Sequence, residues 1–327
     1  MRWLERGLAC LGAALLGGLV YRLGWRDLVA NLSLVGWGLL LVLAQEILAF
    51  AANTLGWRWA FRRNTSAPRF TELLAARVAG DAFNYVTPTA SLGGEFVRLQ
   101  MLAAAHGRVP LAASLSVAKL AQTLGQVVFI LVGLAVVAVY VSLPEAIQWA
   151  AWLTLGGFVG VCAGLVWWQR RGMFAPALLA LEKFGWLQGP AWRSRILRLD
   201  EEIRALHRDG WRFGLSVLAF AVGWALGTVE MYIVLWLLDG SPSWMLALAI
   251  EVFSATLDGI LFFVPAKLGT QEGGKVLIFS LLGLDPAKGL AAGVLRRVRE
   301  LFWAAVGLSL WWWKQWGRAG VASAAAR

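Results

Sequence analysis

Long apolar runs joined by short polar connections make up most of this chain, and the polar positions that interrupt the runs fall in a repeated order. The runs near 4–22, 33–60, 111–141, 146–168, 211–238 and 286–313 are read as full membrane spans, since a helix needs about 20 apolar residues to cross a bilayer. Two further apolar stretches, 70–105 and 243–283, are broken near their middles by proline and glycine and are read as re-entrant hairpins. The arms 70–86, 92–105 and 268–283 are short for a span, whereas 243–264 is long enough to cross. A hairpin returns to its starting side at any depth, so half-depth and full-depth arms give the same topology. The expected fold is an all-α polytopic membrane protein, a single integral membrane domain over residues 1–327.

The same polar order occurs in both broken stretches. Asp81, Pro88, Glu95 and Arg98 in the first are matched by Asp258, Pro265, Glu272 and Lys275 in the second, each 177 residues later. Leu92-Gly93 and Leu268-Gly269 stand where each hairpin must turn and restart. Charges inside a membrane are costly and face a cavity or a partner. Paired broken segments in two halves of a chain mark a transporter-like binding site.

Composition agrees with the membrane assignment. Apolar residues make up 59% and charged residues 15%, with a mean hydropathy of +0.66, against roughly 45–50% and 25% in soluble domains. Tryptophans cluster at segment ends (Trp57 and Trp59, Trp167 and Trp168, Trp311 to Trp313, Trp316), where their rings suit the headgroup level. Arg2, Glu5 and Arg6 before an apolar stretch resemble a signal peptide, but no small-x-small cleavage site precedes Tyr21, so an uncleaved first span is expected.

Basic residues set the orientation. Arg58, Arg62, Arg63 and Arg69, the nine bases of 169–212 and the tail with Lys314, Arg318 and Arg327 all fall on one side, which is therefore cytoplasmic. The base-poor connections 142–145 and 239–243 and the turn around Asp285 fall on the other. Both termini are then cytoplasmic, and the two hairpins enter from opposite sides as an inverted repeat. The connector 169–212 contains an amphipathic helical pair broken at Gly189-Pro190, whose bases can attract anionic headgroups. Ordinary positive-inside charge is the plainer reading of this connector, and the net charge of +11 is explained the same way, without nucleic acid. Cys10 and Cys162 lie in apolar runs, and His106 and His207 in polar connections, so neither a disulfide framework nor a metal site is expected.

A helix restarting inside the membrane presents free backbone N–H groups and its positive dipole end, which suit phosphate or carboxylate. Gly93 and Gly94, and Gly269, Gly273 and Gly274, let a headgroup approach the backbone. Arg98, Lys267 and Lys275, with Lys119 and Arg296 from neighbouring spans, would compensate an anionic headgroup. The plainer alternative is local neutralisation three or four residues apart: Arg77 with Asp81, Glu95 with Arg98, Glu272 with Lys275, Arg296 with Glu300. Lys119, Gln122 and Gln126 share a helix face and line the same cavity or make interhelical contacts. Glu46, Glu230 and Glu251 are isolated acids without an assigned role. Asp81 and Asp258 each precede a hairpin proline by seven residues, about 10 Å along a helix. Such a carboxylate in a poorly hydrated cavity is a candidate for proton coupling.

The stretch 269–275 fits the start of a phosphate-binding loop, but Val276 replaces the magnesium-binding Ser or Thr and no βαβ unit surrounds it. Neither a nucleotide nor any other cofactor is expected.

Asn84 through Arg98, Phe263-Val264-Pro265 with Leu268 through Gly274, and the final run Arg296, Arg297, Arg299 and Glu300 together resemble the flippase-like family named after the transmembrane region of lysylphosphatidylglycerol synthase. That family includes hopanoid-biosynthesis-associated members. The resemblance covers the chain from about residue 30 and departs from the pattern at Ala266 and Lys267, where glycine is common. It implies movement of lipids or lipid-linked molecules between leaflets of a bacterial cytoplasmic (inner) membrane. It brings Asn84, Pro88 and Pro265 into the candidate binding set beside Gly93, Gly94, Glu95, Arg98, Lys119, Lys267, Gly269, Glu272, Lys275 and Arg296. The leading expectation is a non-enzymatic lipid transporter, possible partners being enzymes of lipid synthesis. The alternatives are an embedded lipid transferase using Asp81 and Glu95, or Asp258 and Glu272, as acid and base, and a non-catalytic partner of a lipid-synthesis complex.

Overall fold

The computed structural model describes residues 25–63, 67–86, 92–140, 145–171, 190–240, 242–261 and 269–325, and these are helical throughout apart from short turns. In chain order the helices are α1 (Trp25–Val35), α2 (Leu39–Trp59), α3 (Phe70–Val86), α4 (Leu92–His106), α5 (Arg108–Tyr140), α6 (Glu145–Arg171), α7 (Pro190–Arg208), α8 (Gly210–Asp239), α9 (Trp244–Ile260), α10 (Thr270–Leu281) and α11 (Pro286–Ala325). A short 3₁₀ turn, Gly36–Gly38, links α1 to α2.

Their ends follow local chemistry. Asp209 caps α8 by accepting the N–H of Arg212 at 3.2 Å, and Gly240 closes it in the left-handed region at φ 75°. Pro286 opens α11 as a first-turn proline, behind an Asp285 carboxylate that accepts the N–H of Ala287. Gly269 adopts φ 74° at the start of α10, and its N–H is bonded to Glu272 Oε2 at 3.1 Å.

Among the described residues, three stretches are long and apolar enough to cross a membrane: Leu32–Trp59, Arg108–Tyr140 and Gly210–Leu238. They correspond to the expected spans 33–60, 111–141 and 211–238. The expected spans 146–168 and 286–313 lie within α6 and α11, and 4–22 falls outside the described residues. Helical arms occupy the positions read as hairpins, with α3 packed on α4 and α9 on α10. Their breaks, including Pro88, Pro265 and Lys267, lie outside the described residues.

Helix α2 packs along α8, α5 packs on α8, α7 and α9, and α11 packs on both α3 and α10. One buried cluster gathers Trp57, Leu73, Met101, Leu111, Ile203 and Phe220. A second gathers Val42, Met231, Leu235, Ile250, Phe279 and Leu290. Large apolar residues such as Leu40, Leu48, Val132 and Leu153 point outward, as expected where the solvent is hydrocarbon.

Two expectations are corrected here. Trp57 does not present its ring to headgroups: it is 1% exposed, and its indole N–H donates to Ser114 Oγ at 3.2 Å. His207 is not in a solvated connection. It lies on α7, buried, 2.8 Å from Gln169 Oε1 and edge-on to Phe213, because the apolar side of α7 (Ile203, Leu206) is turned onto the core.

Candidate functional site

Most of the described charged residues of the membrane region collect into two clusters and a bridge between them.

The first cluster forms where α3 and α4 touch. Arg77 and Asp81 are one turn apart on α3, so Arg77 Nε reaches Asp81 Oδ2 at 3.2 Å. From α4, Arg98 donates through one terminal nitrogen to Asp81 and through the other to Glu95 Oε1 at 2.7 Å. The helices approach closely because Gly80 faces Gly94; a Cβ on Gly94 would lie 2.1 Å from the Gly80 carbonyl oxygen. Asn84 Oδ1 accepts the Gly94 N–H at 2.7 Å and ties the start of α4 to α3. Gly94 therefore serves interhelical packing, and the expected headgroup access to its backbone is taken by Gly80 and Asn84.

Aromatic rings floor this cluster, with the Arg98 guanidinium 5.9 Å from the Trp57 ring centre and that of Arg77 5.4 Å from Phe220. Lys119 of α5 stands 4.0 Å from Glu95 Oε1 with 48% of its side chain exposed. Asp81 is 35% exposed, while Arg98 is buried at 4%. Three bases thus face two acids. Among the described residues, Glu95 Oε2 and Arg98 Nε are buried without a hydrogen-bond partner.

The second cluster is built from five helices. Arg296 of α11 donates to Glu251 of α9 at 2.7 Å and to Glu230 of α8 at 3.0 Å. Arg299, nearly one turn on, donates to Glu230 and to Glu46 of α2, both at 2.6 Å. Lys275 of α10 donates to Ser254 Oγ at 3.2 Å and lies 4.0 Å from Glu251. Four of the six ionic groups are buried, Glu230 and Lys275 each at 1% exposure, while Arg299 and Glu46 keep 11% and 18% of their side chains exposed. Asp258 borders a cavity of about 10 Å³ with Lys275, Arg296 and Ser254, room for about one water.

The bridge joins the repeated motifs. Glu272 accepts the Gly269 N–H with one oxygen and the Arg297 guanidinium at 2.7 Å with the other. Arg297 also donates to Tyr85 Oη at 3.0 Å. Tyr85 lies shortly before the break of the first hairpin in sequence and Glu272 shortly after that of the second, so one side chain of α11 joins residues that flank both breaks.

Several sequence pairings are replaced. Arg77 with Asp81 and Glu95 with Arg98 form as expected. Glu272 does not neutralise Lys275, and Arg296 turns from Glu300 to two acids on other helices; Glu300 instead accepts from Gln271 at 3.1 Å. Gln126 donates to the Ala255 carbonyl at 2.9 Å, an interhelical contact, while Lys119 from the same face joins the first cluster. Sequence reasoning missed Glu46, Glu230, Glu251, Tyr85, Arg297 and Arg299 as site residues. Their available signal was arithmetic: three lone acids in apolar runs require three bases, and α11 concentrates them.

The profile of the family described as the lysylphosphatidylglycerol synthase TM region matches residues 7–307. A protein of Methanothermobacter thermautotrophicus named UPF0104 membrane protein is 23% identical over 284 residues, covering 81% of this chain and 81% of its own length. No solved structure matches the chain.

Proposed function

The chain belongs to the family of the lysylphosphatidylglycerol synthase transmembrane region, a multi-pass membrane family with a lipid connection, and from that premise we propose that it carries an anionic lipid or lipid-linked molecule between leaflets without chemically altering it. The observation that supports this reading most is Arg98, held by two carboxylates beside a half-exposed Lys119. An arginine fork that grips two carboxylates has the geometry to grip a phosphate instead. A headgroup entering beside Lys119 would exchange with Asp81 or Glu95 for the guanidinium.

In this reading the hairpins are the moving parts. They are re-entrant, related as an inverted repeat, and rock about the Arg297 bridge in alternating access. Both termini face the cytoplasm of the bacterial inner membrane. The second cluster holds five helices in register around that motion, and Lys275 and Arg296 act as internal counter-charges. Proton uptake at Asp81 frees Arg98 for the headgroup, and proton loss returns Arg98 to the carboxylate as the lipid leaves, so lipid and proton load and unload together.

The test is flux in proteoliposomes of the purified protein. NBD-labelled phosphatidylglycerol should become accessible to external dithionite faster than labelled phosphatidylcholine, with the lipid recovered unchanged. A modified product would establish a transferase. Absence of flux from the protein alone would favour a non-catalytic partner of a lipid-synthesis complex.

A further inference from the structure

A cavity of about 480 Å³ opens between the chain after α2, the side of α5 and the junction of α7 with α8. It contains none of the residues of the two clusters or the bridge. Arg62 and Arg63 line it from beyond α2, Arg208 from the last residue of α7, and Arg212 from the first turn of α8. Among the described lining residues Asp209 is the single acid, and its carboxylate is engaged in capping α8.

Arg212 is held in place before any ligand arrives. Its Nε donates to the Phe61 carbonyl at 3.1 Å, and its guanidinium lies 5.0 Å from the centre of the Trp59 ring. Fixing a binding side chain in advance reduces the ordering cost of binding. Leu206, Phe213 and Val117 form an apolar wall, so the cavity pairs a cationic rim with a greasy side. Its volume falls in the range of about 300–1,000 Å³ used for small ligands. Basic pockets at the ends of membrane helices suit phosphate headgroups, and arginine forks bind phosphate through two parallel bonds.

We propose that this cavity seats the phosphate headgroup of an anionic membrane lipid, its acyl chains leaving along the apolar wall. A water-borne phosphate ester offers the same anionic group, but it makes no use of Leu206, Phe213 and Val117. The site is independent of the transport reading and stands or falls separately from it.

The experiment measures binding of dioctanoyl phosphatidic acid to the full chain in a neutral detergent, in an Arg98→Gln background that disables the central cluster. Arg63→Gln with Arg208→Gln, both on exposed side chains, should weaken binding at least tenfold while the thermal melt is unchanged. Ala205→Trp, which fills the cavity without altering charge, should weaken it comparably and controls for any misfolding of the charge variant. Dioctanoyl phosphatidylcholine should bind at least tenfold more weakly. Equal affinity in the parent and in both variants would overturn the site. Displacement of the lipid by an equal concentration of glycerol 3-phosphate would overturn the lipid assignment and make the occupant a soluble phosphate.

Discussion

The Arg98 cluster and the Arg296 cluster use the same residue types but differ in enclosure and in charge balance. Around Arg98, three bases face two acids, and Lys119 and Asp81 reach the surface. Around Arg296, Lys275, Arg296 and Arg299 meet Glu46, Glu230 and Glu251 in equal number, and exposure is limited to 11% at Arg299 and 18% at Glu46. Arg98 and Lys275 hold equivalent places in the repeated motif, as do Asp81 and Asp258. In the proposed function one copy of the motif exchanges a carboxylate for a ligand, and the other locks helices together. Location in the membrane does not by itself make a charge part of a binding site; access and an unbalanced partner do.

The largest effect should come from opening the closed cluster. Removing one member of a buried ionic network leaves charge uncompensated and costs about 3–5 kcal/mol. Glu230→Ala, which takes one of two carboxylate partners from both Arg296 and Arg299, should therefore lower the thermal melt far more than Lys119→Ala, whose side chain is half exposed. Similar melts for the two variants would erase the distinction between the clusters.

Next in size are the effects on ligand. Arg98→Ala should reduce flux of the anionic lipid tenfold or more, and Arg98→Lys should restore only part of it because the two-pronged contact is lost. Full activity in Arg98→Lys would reduce its role to simple charge. A subtler separation concerns the aspartates. Asp81→Asn should make flux indifferent to an imposed pH gradient while lipid still binds, and Asp258→Asn, beside the buried Lys275, should have a smaller effect on that dependence. A wild-type flux insensitive to the gradient removes proton coupling.

The smallest expected effect lies at the edge of the first cluster's helix. Glu72 accepts the Arg69 backbone N–H at 2.9 Å, which holds its carboxyl below the usual range, with His106 3.6 Å away. Its contribution is full above the ordinary carboxylate pKa and fades as the pH falls through the lower folded value. Glu72→Ala should lower the melt only slightly, solvent screening weakening so exposed a contact, and the loss should fade in acid, as read from melts at paired pH values.

Much of the helical layout was legible because apolar run length and helix-breaking residues report directly on local structure. The arm read as 70–86 is α3, and that read as 92–105 is α4 with His106 added. The second restart falls at Thr270, since Gly269 takes the left-handed conformation that ends the turn. Pairs one helical turn apart, Arg77 with Asp81 and Glu95 with Arg98, were equally legible. The partners of Arg296, Lys275 and Glu272 were not, because each reaches across to another helix and spacing along one helix carries no information about neighbours. Glu46, Glu230 and Glu251 appear isolated in sequence for the same reason, although they lie on three helices that face one stretch of α11.

The central claim is that the open copy of the motif handles the lipid and the closed copy does not. Flux of labelled phosphatidylglycerol through proteoliposomes containing Arg98→Gln or Lys275→Met tests it most directly, the methionine keeping the length of the buried chain. With both variants inserted at equal density and judged folded by thermal melt, Arg98→Gln should lose at least nine-tenths of the wild-type rate, while Lys275→Met should retain most of it. Equal loss in the two variants, or wild-type flux in Arg98→Gln, would contradict the account.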